Sequence, residues 1–155
     1  MKTNEDPAWQ AKLTAIVENH AEGDVIPHST INEILGLKEP DYDDYGNPID
    51  YKEAMQAYSF QRLATIEQLK HDLLTCHQVY IKNVKAEGYR IVPAKDQCAT
   101  AYKVATSNIH DEFEAGNLVM DNVRETALNA EDRKKANDTK SKFALLHRMF
   151  EDNRK

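Results

Sequence analysis

The stretch VYIKNVKAEGYRIV, residues 79–92, constrains the fold of this chain more than any other segment. Two short runs rich in β-branched and aromatic residues flank a polar turn, while the rest of the chain carries helical spacing. A lone two-stranded hairpin is marginal in water, so helices must cover one of its faces. Alternation puts Val79 and Ile81 on one face, with Tyr89 and Ile91 across from them, and predicts that Gly88 supplies the positive φ of the turn. Pro93 ends the second strand. The remaining positions make the hairpin basic, through Lys82, Lys85 and Arg90.

Several helices are predicted to supply that cover. In DPAWQAKLTAIVENHA, Asp6 can cap and Pro7 suits the first helical position, with Trp9, Leu13, Ile16 and Val17 on one face and Gly23 as the stop. Val25 and Ile26 form a very short extended piece ended by Pro27. His28 or Ser29 then opens a helix of about two turns that buries Ile31, Ile34 and Leu35 and closes at Gly36. LKEPDYDDYGNPIDY reads as a polar surface loop. It starts like an EF-hand at Asp41, Asp43 and Gly46, but Lys52 stands where a bidentate Glu belongs, so a solvated acidic loop is expected. A long helix follows from Asp50 to about Cys76, with Met55, Tyr58, Leu63, Ile66, Leu69, Leu73 and Leu74 as its buried stripe and a candidate break near Ser59. After the hairpin, a helix bearing Cys98, Tyr102, Ala105, Ile109 and Phe113 is expected to end at Gly116. A shorter helix over NLVMDNVRETAL and a final one bearing Phe143, Leu146, Met149 and Phe150 complete the chain.

With 155 residues, 41% of them hydrophobic and 30% charged, the chain can bury a core without disulfides or metal and falls outside the disordered class. No apolar run approaches a bilayer span and no signal-peptide core precedes residue 10, so a cytoplasmic protein without membrane contact is expected, with Cys76 and Cys98 as reduced thiols. The net charge of −6 is unevenly spread. Residues 1–60 carry 4 Lys and Arg against 12 Asp and Glu, residues 61–105 carry 7 against 4, and residues 106–155 carry 9 against 10. The hairpin and the helix before it thus form the one basic section.

Helix, minimal strand, short helix, longer helix, strand, basic turn and strand is the order of a winged helix-turn-helix. The expected fold class is mainly α with a small β-hairpin, organised as a winged-helix-like domain over 1–93 and a helical extension over 94–155 that packs on it or forms an oligomer interface. Residues 69–92 resemble the helix and wing of OmpR-type output domains: Gly88, Tyr89 and Arg90 match the Gly-Tyr-Arg run that closes the wing, and Val84 and Lys85 match the apolar-basic pair before it. The chain is also similar in general look to small phage and mobile-element regulators.

The resemblance implies a non-enzymatic regulator of phage or bacterial type that binds double-stranded DNA as a homodimer. Lys82, Lys85 and Arg90 would neutralise phosphates, with Lys70 or Lys95 at the margins, and Gln61, Arg62, Thr65 and Gln68 are residue types that read base edges. About four phosphate contacts predict a log–log salt slope of roughly −3.6. The alternative is a protein-binding inhibitor or adaptor, such as a phage anti-host factor or DNA mimic. It would engage a host protein through Asp41, Asp43, Asp44 and Asp50 or through Phe143, Leu146 and Phe150. No cofactor and no metal is expected. His71, Cys76 and His77 do not share a helical face, and His110 with Glu114 makes a single pair with no second pair of ligands in view.

Overall fold

Local signals start the first helix, α1 (Pro7–Asn19): the Asp6 carboxylate accepts from the Ala8 amide at 2.9 Å and Pro7 occupies the first turn. The computed structural model describes residues 6–153, which continue as β1 (Val25–Pro27), α2 (His28–Leu35), α3 (Pro48–His77), β2 (Ile81–Val84), β3 (Gly88–Ile91), α4 (Ala94–Asp121) and α5 (Ala130–Asn153). Single 3-10 turns at Tyr42–Asp44 and Glu125–Ala127 lie in the loops. The architecture is mainly α-helical with a small antiparallel sheet. Among the described residues no helix is long and apolar enough to cross a membrane. The chain divides into two units, Met1–Thr100 and Ala101–Lys155.

In the first unit the sheet order is β1-β3-β2, both pairings antiparallel. α1, β1, α2 and α3 precede the hairpin, and β1 adds to it as a third strand beside β3. One core joins Trp9, Leu13 and Ile16 of α1, Ile31 and Leu35 of α2, Ile66, Leu69 and Leu73 of α3, and Ile26, Ile81, Tyr89 and Ile91 of the sheet. Each fully buried aliphatic chain contributes about 1.5–3 kcal/mol relative to exposure. Two polar contacts orient the helices around this core. The Trp9 indole Nε1 donates to Asp72 Oδ2 at 2.8 Å in the interior, and Lys12 Nζ donates to the Leu35 carbonyl at 2.8 Å, a cation at the C-terminus of α2.

Several local expectations change. α3 starts at Pro48, because the Asn47 side chain accepts from the Ile49 and Asp50 amides, each at 2.9 Å. It runs unbroken past Ser59, whose hydroxyl bonds back to the Met55 carbonyl at 2.8 Å. Leu63 and Leu74, expected in the buried stripe, are 61% and 44% exposed, since the core meets α3 along Ile66, Leu69 and Leu73 instead. Val79 precedes β2 but packs against the core. Gly88 has the expected positive φ, 158°, and Ala86 adds a left-handed residue to the β2–β3 turn, with φ 64°. Gly88 is needed for a second reason as well: it opens β3 directly beside β1, and a Cβ there would overlap the Ile26 carbonyl oxygen.

α4 likewise does not stop at Gly116 but continues to Asp121, and the short helix expected after it is the last turn of α4 plus the 3-10 turn Glu125–Ala127. Gly116 is a notch: a Cβ would lie 2.5 Å from Cζ of Phe143 on α5. In this second unit Phe113 is the buried residue among those described, ringed by Phe143 at 5.3 Å, Phe150 at 5.6 Å and a stacked His147 at 4.7 Å. Tyr102 and Ile109, expected on the same buried face, stay exposed.

Asp72→Ala removes the acceptor of a buried indole N–H and is expected to destabilise the protein by about 1–3 kcal/mol in urea denaturation. Asp72→Asn, which keeps an acceptor oxygen, should cost less. In a Trp9→Phe background the Ala substitution should lose most of its effect, because the donor is already gone.

Candidate nucleic-acid interface

The hairpin displays its charge through strand register. Lys82 pairs with Arg90 across β2 and β3, with Val25 next in the row on β1, while the neighbouring row is Asn83, Tyr89 and Ile26. Since side chains alternate, Lys82 and Arg90 project from the sheet face opposite the one that holds Tyr89 and Ile91 on the core. Lys85 begins the turn, and all three cations are exposed. Together with Pro93, Asp96 and Thr100 of the segment entering α4, they border a groove of about 450 Å³. Among the described residues no carboxylate lies within 4.0 Å of Lys82, Lys85 or Arg90. Like charges directly opposite on neighbouring strands repel, so this pair costs folding stability that a bound anion would recover.

The candidate base-reading residues of α3 lie elsewhere. Arg62 Nε donates to Asn32 Oδ1 of α2 at 3.1 Å, and the Thr65 hydroxyl donates back to the Gln61 carbonyl at 2.8 Å. Gln68 is half-buried and Gln61 exposed. Lys70 pairs with Glu67 at 2.7 Å and sits 5.8 Å over the Tyr89 ring. Arg62 and Lys70 thus share a groove of about 720 Å³ with His28, Asn83 and Tyr89, on the helix side of the sheet. Gln61 and Lys70 are nine residues apart, which at about 3.6 residues per turn puts them on opposite sides of the helix. The eight candidate DNA contacts therefore form three groups: the outer sheet face with the turn, the α2–α3 groove, and the edge of α3 bearing Gln61, Thr65 and Gln68.

The alternative site residues lie in the loop before α3, at the start of α3 and on α5. Asp41, Asp43, Asp44 and Asp50 are all exposed, and Asp41 and Asp50 have local work: Asp41 Oδ1 accepts from the Asp43 amide at 3.2 Å, and Asp50 accepts from the Asn47 side chain at 2.8 Å. Tyr42 and Tyr45 stack edge-on against Tyr51 beside them. Phe143 and Phe150 turn toward Phe113, whereas Leu146 is 56% exposed.

One surface went unrecognised in the sequence. Ile49 and Phe60, and again Leu63 and Leu74, are eleven residues apart, about three helical turns, so all four share one outer face of α3. The apolar periodicity was visible, but nothing local distinguishes an apolar face that meets the core from one that meets solvent.

Compared with known proteins, the chain matches no family model, no curated protein and no solved structure.

Lys82→Glu converts the repulsive cross-strand pair into an attractive one. It is expected to raise stability by about 0.2–1 kcal/mol in urea melts at low salt, with the gain shrinking as salt is added.

Proposed function

We propose that this chain is a non-enzymatic, winged-helix DNA-binding regulator whose wing contacts the phosphate backbone. The observation that carries the reading is the uncompensated Lys82–Arg90 cross-strand pair with Lys85 at the adjoining turn. It is a costly arrangement for a folded chain alone and a favourable one against a polyanion. Lys70 drops out of the set, because its ammonium is already paired with Glu67 on the other side of the sheet. Three phosphate contacts per chain give a log–log salt slope of about −2.7, so a single copy binds weakly and paired copies supply useful affinity. Leu146 and Met149, exposed and three residues apart on α5, are the residues we assign to pairing of two copies. The free, exposed thiols of Cys76 and Cys98 fit work in a reducing compartment, the cytoplasm.

A second reading, a protein-binding adaptor or inhibitor, is favoured by the α3 face of Ile49, Phe60, Leu63 and Leu74. Apolar side chains at that density suit a partner's hydrophobic groove better than phosphates.

Fluorescence anisotropy with a mixed-sequence duplex separates the two. The DNA reading expects binding that weakens with salt at a slope between about −2.7 for one copy and about −5.4 for a pair. Joint substitution of Lys82, Lys85 and Arg90 by Ala should flatten the slope and weaken binding to all sequences alike, while Phe60→Ser with Leu63→Ser leaves it unchanged. Binding that survives the triple substitution overturns the reading. Absence of binding at low salt transfers the function to the α3 face.

A further inference from the structure

Where α4 and α5 lie side by side in the second unit, His110 of α4 meets His147 and Glu151 of α5. His110 Nδ1 is 3.5 Å from Glu151 Oε1, His147 Nε2 is 3.8 Å from the same oxygen, and one potential ligand atom from each of the three residues lies within 4.8 Å of the other two. Ligands held about 2.1 Å from a tetrahedral zinc ion sit about 3.4 Å from each other, so two of these separations are already close to those of a coordination shell. His110 Nδ1 is buried and lacks a hydrogen-bond partner among the described residues, a cost that a metal bond would remove.

The surroundings are those of a supported site. Asn117 Nδ2 stands 3.4 Å from His147 Nδ1; with the two ends of the amide exchanged, its oxygen would accept the Nδ1 proton and leave the Nε2 lone pair directed at the cluster. The Phe113 ring stacks on the same imidazole at 4.7 Å and 17°, which fixes its plane. Two imidazoles and one carboxylate select first-row divalent metals over calcium or magnesium. The need for a clip is visible in the packing, since Phe113 is the buried residue of this unit among those described.

We infer that His110, His147 and Glu151 form a binding site for one divalent transition-metal ion of the zinc class, which clips α4 to α5 and leaves a fourth position to water.

The test uses the full chain carrying Cys76→Ser and Cys98→Ser, so that exposed thiols contribute nothing, after chelator treatment and dialysis. Zinc titrated by calorimetry should bind at one ion per chain and raise the melting temperature, and cobalt should develop visible d–d absorption of nitrogen and oxygen ligation. Glu151→Gln, which preserves shape and hydrogen bonding, and His147→Ala should each abolish saturable binding. Asn117→Ala should weaken it about 10–100-fold, and His71→Ala, on the exposed side of α3, should leave it unchanged. Far-ultraviolet circular dichroism of each metal-free variant confirms that it is folded. The inference is overturned if the thiol-free chain binds no zinc saturably, or if folded Glu151→Gln binds it as tightly as its parent.

Discussion

The hydrogen bond from the Trp9 indole to Asp72 is the contact on which the first unit turns. Asp72 is the buried polar side chain among the described residues, and it lies in the same interior as Leu69 and Leu73. An indole N–H or a carboxylate in that setting would cost several kcal/mol unpaired, so each makes the other tolerable. Apolar packing alone is non-directional, whereas this bond's distance and angle requirements restrict how α1 rotates and slides against α3. Leu13 and Ile16 then fall into the core below it, and α3 ends at the left-handed Gln78 with the chain aimed into the hairpin. The register that follows turns Ile81, Tyr89 and Ile91 inward and Lys82 and Arg90 outward.

That arrangement separates two sets of cations that are close in sequence. Arg62 and Lys70 are drawn into contacts with Asn32, Glu67 and Tyr89, where they serve the packing of α2, α3 and the sheet. Lys82, Lys85 and Arg90 keep their charge available to solvent. The hairpin cations offer electrostatic attraction, while the apolar outer face of α3 offers a different kind of contact. The proximity of both surfaces to one hairpin and one helix makes them separable by substitution, because neither set belongs to the core.

The second unit follows another logic. Its helices meet over Phe113, with Gly116 admitting the Phe143 ring, and the polar cluster of His110, His147 and Glu151 runs beside that contact. Both helices place a His and a Glu four residues apart, His110 with Glu114 and His147 with Glu151. Only the second of these pairs is used as a pair. His110 reaches across to α5, and Glu114 stays exposed.

Much of the first unit was legible in the chain itself. The cap at Asp6, the short strand closed by Pro27, the stop at Gly36 and the alternation in residues 79–92 are written in local residue types, because caps, turns and strand faces are satisfied within a few residues. Tertiary structure decided what depends on distant partners. Leu63 and Leu74 obey the same periodicity as Leu69 and Leu73, yet only the latter meet the core. Gly88 also leaves room for the Ile26 carbonyl beyond its local turn role, and Gly116, which looks like a local breaker, admits Phe143. The Trp9–Asp72 bond spans 63 residues, and the His110, His147 and Glu151 cluster joins two helices that the sequence shows only as separate amphipathic runs. A sequence states which faces are apolar and where elements begin and end. Which face is covered, and which polar groups meet, follows from packing that no local pattern encodes.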